Sequence, residues 1–159
     1  MVTESVRGRP ARRIRCFLAL VGVATIALVW LYTGSLIGVE EKTVLTYRML
    51  QERIAEEGLE PRFFVISGRR FWLDNKLLAL GGASRKSHHL RGEALDIIVL
   101  DVNDDGTADA ADVDIVHRIL DQELIGDRGG LGTYKNESGF LNRQMVHFDL
   151  RGHRARWNR

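Results

Sequence analysis

Apolar residues are concentrated in one long run near the start of the chain. Residues 17–38 read FLALVGVATIALVWLYTGSLIG and contain no charged side chain. As a helix this run would reach roughly 33 Å at about 1.5 Å per residue, which is enough to cross a bilayer core. Trp30 and Tyr32 lie near its far end, where amphipathic rings favour a membrane interface. The pattern predicts one transmembrane helix over residues 17–38.

Positive charge precedes the apolar run. Because basic segments stay on the cytoplasmic side, we expect a cytoplasmic segment over residues 1–16 and a single-pass membrane protein. Its C-terminal domain, residues 39–159, would be extracytoplasmic, either periplasmic or on the outer face. A cleaved signal peptide is the alternative, but the run is long for one and no convincing small-x-small site follows it. The basic residues are Arg7, Arg9, Arg12, Arg13 and Arg15.

In the remainder of the chain, segments with two different spacings of apolar residues follow one another. Apolar positions three to four residues apart predict helices, and alternating or short apolar runs predict strands. Glycines at 129, 130 and 132 mark a loop. Mixed helices and strands indicate an α+β domain. The predicted helices cover residues 42–57, 71–80 and 110–124, and the predicted strands cover residues 62–67, 94–100 and 145–150.

Charge and cysteine content exclude several classes of protein. The formal net charge is only +2, and no Lys/Arg run interleaved with aromatic residues is present, so we expect no nucleic-acid partner. Cys16 is the single cysteine, which rules out an intrachain disulfide and a CxxC metal site. Any transition-metal site must therefore use histidine and carboxylate ligands.

Two predicted strands carry polar residues that need an explanation. Asp96 lies in a strongly apolar strand, where a carboxylate is costly unless it is paired or bound to a metal. His147 and Asp149 point to the same face of the last strand because side chains alternate along a strand. If the two strands are neighbours, His89, Asp96 and His147 can converge on one ion, and two imidazoles with one carboxylate suit zinc. Taken alone, the pattern also fits ordinary surface or core histidines.

Several ordered motifs resemble one family. Residues 87–96 resemble S-x-H-x-x-G-x-A-x-D, and residues 147–149 resemble the downstream H-x-D of the zinc D-Ala-D-Ala carboxypeptidase and murein endopeptidase family, whose fold is shared with the hedgehog signalling domain. The likeness covers roughly residues 60–157. It implies a small central antiparallel sheet with flanking helices. Further matches, in order, are Ser67-Gly68-Arg69-Arg70, Asn75 with Gly81-Gly82-Ala83, Gly130-Leu131-Gly132-Thr133-Tyr134, and His147-Phe148-Asp149-Leu150-Arg151-Gly152 with Arg156-Trp157.

The resemblance implies a zinc metallopeptidase that acts on peptidoglycan stem peptides, as a carboxypeptidase or an endopeptidase. It identifies His89, Asp96 and His147 as the zinc ligands. Arg70 matches the family arginine that holds the substrate carbonyl or carboxylate, where a guanidinium could steady an oxyanion. Asp149 is expected to support catalysis.

One position departs from the family pattern. Many members carry a catalytic Glu, Asp or His two or three residues before the last zinc ligand, where this chain has Gln144 and Met145. Neither side chain can act as a general base; Asp149, or Glu137 in the preceding loop, are the possible substitutes. The alternative function is therefore a weakly active or inactive metal-stabilised module that binds cell-wall peptide or a protein partner.

A second ion site is predicted at residues 101–112. This segment fits an EF-hand loop and resembles a dockerin repeat, with Gly106 at the sharp turn. The alternative is an acidic turn that caps the following helix. The loop follows directly on the strand that holds Asp96, so bound calcium would rigidify the zinc site. The expected calcium ligands are Asp101, Asn103, Asp105, Thr107 through its carbonyl, Asp109 and Asp112.

Overall fold

A computed structural model describes residues 9–71, 76, 87–135 and 144–158. Contacts between Cα atoms divide the chain into two units, Met1–Tyr32 and Thr33–Arg159. The described part of the first unit is helix α1, Arg9–Thr33, whose last residue falls in the second unit. The second unit contains the sheet, the remaining helices and every predicted site residue that the structure describes.

Helix α1 corrects the prediction of a membrane anchor. Among the described residues, no helix combines the length and the apolar character needed to cross a membrane. Helix α1 begins within the basic segment and ends at Thr33, so residues 34–38 are turns rather than helix. Residues 17–33 rise only about 25 Å as a helix, against a bilayer core of about 30 Å. The transmembrane helix over residues 17–38 and the single-pass location are therefore wrong.

The second unit alternates helices with strands. Helix α2 and strands β1, β2 and β4 confirm predicted elements to within two residues at each end. The predicted helix over residues 71–80, the segment from Asn75 to Ala83 and Glu137 lie outside the described residues, except for Phe71 and Lys76. The elements are α2 Glu41–Glu56, β1 Phe63–Ser67, a 3-10 helix His88–Arg91, β2 Ala94–Val99, α3 Ala110–Ile119, a π-helical turn Leu120–Ile125, a 3-10 turn Gly126–Arg128, β3 Gly130–Tyr134, β4 Met145–Asp149 and β5 Ala155–Asn158.

Five strands of the described chain form one mixed sheet in the order β1-β2-β4-β3-β5. The pairs β1–β2, β2–β4 and β4–β3 are antiparallel, whereas β3 and β5 are parallel. The chain reverses after β4 through Gly152, at φ 88°, and returns along the far edge of β3. The expected antiparallel sheet is therefore wrong, because the sheet is mixed, although the α+β class is confirmed.

Alternation along the strands separates a core face from a polar face. Leu95, Ile97 and Val99 of β2 are buried with Val146 and Phe148 of β4. The apolar sides of α2 and α3 cover the same core. The intervening residues of β2 and β4 occupy the opposite face, which holds the polar site. The buried residues contributed by the two helices are Tyr47, Leu50, Ile54, Val113, Val116 and Ile119.

Candidate metal centre

The polar face carries one row of residues that crosses the sheet. Asp96 of β2 pairs with His147 of β4, and His147 pairs with Gly132 of β3. Gly132 in turn pairs with Trp157 of β5. The register therefore sets the Asp96 carboxylate directly beside the His147 imidazole, because β2 and β4 are neighbouring strands.

His89 reaches this row from the 3-10 helix. The Ser87 hydroxyl accepts a hydrogen bond from the His89 backbone N–H at 3.4 Å, and Gly92 ends the helix at φ 75°. The His89 ring is almost fully buried, with 1% exposure. Its Nδ1 lies 2.7 Å from the carbonyl oxygen of Gly68. Since a carbonyl can only accept, Nδ1 carries the proton and Nε2 keeps its lone pair.

Three ligand atoms meet at the centre of the row, His89 Nε2, Asp96 Oδ1 and His147 Nδ1. The separations are 3.2 Å from His89 Nε2 to Asp96 Oδ1, 3.3 Å from His89 Nε2 to His147 Nδ1, and 2.6 Å from His147 Nδ1 to Asp96 Oδ1. Zinc bonds of 2.0–2.1 Å in a tetrahedron give ligand separations of about 3.3 Å. Two of the three distances already match, and a small widening of the third would admit the ion.

Arg70 supports the carboxylate from behind. Its Nη2 donates to Asp96 Oδ2, and its Nε donates to the Ser67 hydroxyl at 2.7 Å. The backbone N–H of Arg70 also donates to the carbonyl of His89 at 3.0 Å. Asp96 therefore turns Oδ1 to the centre and Oδ2 to Arg70. The predicted contact of Arg70 with substrate stays a prediction.

Asp149 lies behind His147. Its Oδ2 is 3.1 Å from His147 Nε2, so each ring nitrogen of His147 faces a carboxylate. Asp149 is fully buried, and Arg151 contacts both of its oxygens, at 2.7 Å from Nε and 2.5 Å from Nη2. The N–H of Gly130 donates to it as well, at 3.2 Å. With these partners Asp149 orients the imidazole and is badly placed to take a proton from water.

The electrostatics of the centre favour a cation. Burial works against the ionised form of Asp96, but its contacts with His89 and His147 outweigh burial and hold its pKa well below the usual range. Burial lowers the pKa of His89. Burial would also lower the pKa of His147, yet hydrogen bonds to Asp149 and Asp96 raise that pKa to about 9. In the metal-free protein His147 therefore carries the proton that a metal ion would replace.

The two residues that depart from the motifs of the similar family, Gln144 and Met145, lie just before and at the start of β4. Gln144 has a left-handed backbone, with φ 49°, and Met145 is 8% exposed.

Among the other histidines, His88 Nδ1 lies 2.9 Å from Glu93 Oε2, and His117 lies on α3. Neither joins the three-ligand group.

The predicted calcium loop is closed by hydrogen bonds of its own. Asp112 is fully buried and accepts from the backbone N–H groups of Val102 at 2.7 Å and Asp109 at 2.8 Å. Asp109 caps α3 by accepting from Ala111 N–H at 2.7 Å. The side chains of Asp109 and Asp112 also accept from each other's backbone N–H groups, which forms a capping box. The loop therefore caps α3, which is compatible with both interpretations, and calcium binding stays a prediction.

In the outer part of that loop, carboxylates lie near the guanidinium of Arg62. Asp101 accepts from the N–H groups of Asp105 at 3.0 Å and Gly106 at 3.1 Å. Arg62 Nη1 lies 2.6 Å from Asp104 Oδ1 and 3.4 Å from Asp101 Oδ2. The guanidinium offsets part of the mutual repulsion of the acidic groups.

Sequence reasoning missed the residues that support the ligands. Ser67, Gly68 and Arg151 fall within the motif matches, but those matches do not indicate that Ser67 bonds to Arg70, the Gly68 carbonyl to His89 and Arg151 to Asp149. The expectation that Asp149 supports the site agrees with its position, although a supporting role in catalysis stays a prediction.

No protein-family model matches this chain, and no curated protein matches it significantly. The function is therefore inferred from the geometry of the site and from the motifs in the sequence.

Proposed function

We propose that this protein is a zinc-dependent hydrolase that cleaves a peptide bond in peptidoglycan stem peptides, as a carboxypeptidase or an endopeptidase. The observation that carries the proposal is the convergence of His89 Nε2, Asp96 Oδ1 and His147 Nδ1 within 3.3 Å of one another. Each of these residues also has its remaining polar atom engaged by a separate partner, Gly68, Arg70 or Asp149.

The donor set suits zinc and hydrolysis. Two imidazoles and one carboxylate are a common catalytic zinc set that leaves a fourth position for water, and a zinc ion bound there would lower the pKa of that water towards 7. His89, Asp96 and His147 would hold the ion. Arg70, which lies beside Asp96, would supply positive charge near an oxyanion formed by attack on a carbonyl.

The substrate class is supported by the motifs. The S-x-H-x-x-G-x-A-x-D segment and the later H-x-D resemble those of the murein peptidases, and their histidines and first aspartate are the residues that converge. The same resemblance supports Arg70 as the residue that contacts the substrate carbonyl or carboxylate.

A second candidate function has its own support. Gln144 and Met145 occupy the positions where many family members carry the general base, and Asp149 is fully buried against Arg151. A chain without an efficient base would bind cell-wall peptide, or a protein partner, with little or no hydrolysis. The metal-stabilised binding module is therefore the alternative that the test must separate.

The test uses purified peptidoglycan and the full chain with one equivalent of zinc. The proposed hydrolase releases new amino or carboxyl termini, and His89→Ala abolishes the release. His117→Ala is the matched control, because His117 lies outside the ligand group on α3, and it should retain the activity. Binding of peptidoglycan without release of termini would favour the binding module, and release that survives His89→Ala would contradict the zinc mechanism.

A further inference from the structure

Strand β3 places two glycines, which have no side chain, on the polar face, Gly130 and Gly132. A Cβ at Gly132 would lie 2.1 Å from Trp157 Nε1 and 2.2 Å from Trp157 Cε2. A Cβ at Gly130 would lie 2.5 Å from Asp149 Oδ2 and 2.7 Å from Arg151 Nε. Any side chain at these positions would displace its neighbours. The two glycines therefore make the space in which residues of the adjacent chain segments reach the metal centre.

Trp157 fills the space above Gly132 and touches a ligand. The centroid of its ring lies 5.3 Å from that of His147, with the planes tilted by 45°. Two contacts hold the indole in this position. Its Nε1 donates to the Tyr134 hydroxyl at 3.1 Å, and Arg151 Cζ lies 5.3 Å from its ring centroid. The indole is thus held against His147 by a hydrogen bond and a cation–π contact.

The contacts of the His147 nitrogens leave one motion open. Nδ1 faces Asp96 and Nε2 faces Asp149. A metal ion on Nδ1 would replace the contact with Asp96, so that only the contact with Asp149 would then resist rotation of the ring about its Cβ–Cγ bond. A neighbouring aromatic ring restricts that rotation by packing, as outer-shell groups do when they orient metal ligands.

We propose that Trp157 is a positioning residue of the metal centre: its indole, seated in the space left by Gly132, fixes the ring plane of His147 so that Nδ1 points at the ion. The inference rests on the proposed function only in so far as the centre binds zinc. It also explains why β3 carries glycine at a position where a strand would favour a side chain.

The test measures zinc affinity by competition with a chromophoric chelator, together with the visible spectrum of the cobalt-substituted protein. Trp157→Ala should weaken zinc binding about tenfold and alter the cobalt spectrum, whereas Trp157→Phe keeps an aromatic contact and should restore both. Gly132→Ala should act in the same direction as Trp157→Ala, although it leaves the tryptophan in the chain. Tyr134→Phe removes only the hydrogen bond to the indole, so it should give a smaller change in the same direction.

A purely structural role of Trp157 predicts a different pattern. The melting temperature of the chelator-treated protein would then fall in Trp157→Ala, with the zinc affinity and the cobalt spectrum of the folded fraction unchanged, and that result would overturn the inference. If Trp157→Ala fails to fold, Tyr134→Phe decides in the same way. Zinc binding that is unchanged in all variants contradicts only this inference. Failure of the unaltered protein to bind zinc contradicts the proposed function and the inference together.

Discussion

At the scale of single residues, the two histidines present different nitrogen atoms to the centre. His89 uses Nε2 because its Nδ1 is bonded to the Gly68 carbonyl. His147 uses Nδ1 because its Nε2 faces Asp149. The partner behind each ring therefore decides which nitrogen is left for the metal, as expected for imidazole ligands in proteins.

Replacing Asp149 should lower the affinity of the site for zinc, in addition to any effect on the stability of the fold. Asp149→Asn lowers the negative charge behind His147 and leaves Arg151 without its ionised partner. Loss of such an outer carboxylate typically costs 10- to 100-fold in metal affinity, and we expect zinc affinity to fall in that range by chelator competition. Asp114→Asn is the control, since Asp114 is exposed and pairs only with Lys135 among the contacts described. Equal zinc affinity in the two variants would argue against the orienting role.

The metal-free protein should lose stability as the pH rises from about 6.5 to about 9. The pKa of His147 is about 9 in the folded protein, against about 6.5 for an unperturbed histidine. The proton on His147 therefore stabilises the fold fully below pH 6.5, and this contribution is lost as the pH approaches 9. Melting temperatures in a chelating buffer should fall across that window.

Two controls accompany the pH series. His147→Gln should remove the fall, because the titrating ring is gone. Zinc should also remove it, since a bound metal requires the neutral imidazole at every pH. A melting temperature of the unaltered metal-free protein that stays level or rises between pH 6.5 and 9 would show that His147 does not hold its proton as described.

At the scale of elements, the loop between β2 and α3 links the two predicted ion sites. β2 carries Asp96 and ends at Val99, and the acidic loop begins at Asp101. Asp112 joins the two ends of this loop by accepting from Val102 and Asp109. Asp105, by contrast, bonds only to neighbours within the loop in the contacts described. Asp112 and Asp105 can therefore separate folding from calcium binding.

Calcium should raise the melting temperature of the zinc-loaded protein, and Asp105→Asn should remove that rise with little effect on the calcium-free protein. Asp112→Asn should lower the stability even without calcium, by about 1–3 kcal/mol, because it disturbs buried hydrogen bonds. Asp127→Asn, at a highly exposed site, is the control. The calcium prediction would be wrong if calcium left the melting temperature unchanged or raised it equally in Asp105→Asn.

The elements that the sequence predicts well are the strands whose polar and apolar side chains alternate and the helices whose apolar side chains recur every three to four residues. The apolar face of α2 and the alternation in β2 and β4 are local patterns, and both survive in the fold. β3 was predicted as a loop because Gly130 and Gly132 carry no side chain that would show alternation. Its strand geometry comes from pairing with β4 and β5, and β5 likewise owes its place to that pairing. Such long-range pairing leaves no signal in the local sequence.

At the scale of the whole molecule, the sequence predicts the three candidate ligands better than it predicts the residues that surround them. An aspartate inside an apolar strand and a histidine on an alternating strand indicated a shared ion, and the strand register brings Asp96 and His147 together. Ser67 and Arg151 bond to residues only three and two positions away, although the sequence pattern does not show these side-chain contacts. Trp157 is placed by the parallel pairing of β5 with β3, which the sequence alone did not reveal. The membrane anchor was wrong because a run of apolar residues does not specify where a helix ends.

The central claim is that two imidazoles and one carboxylate hold a single zinc ion, and X-ray absorption at the zinc edge tests it most directly. The zinc-loaded protein should show four light-atom neighbours near 2.0–2.1 Å, with outer-shell scattering from two imidazole rings and no sulfur. His89→Ala should lose one imidazole or release the metal. A spectrum without two imidazoles, or one that His89→Ala leaves unchanged, would contradict the account.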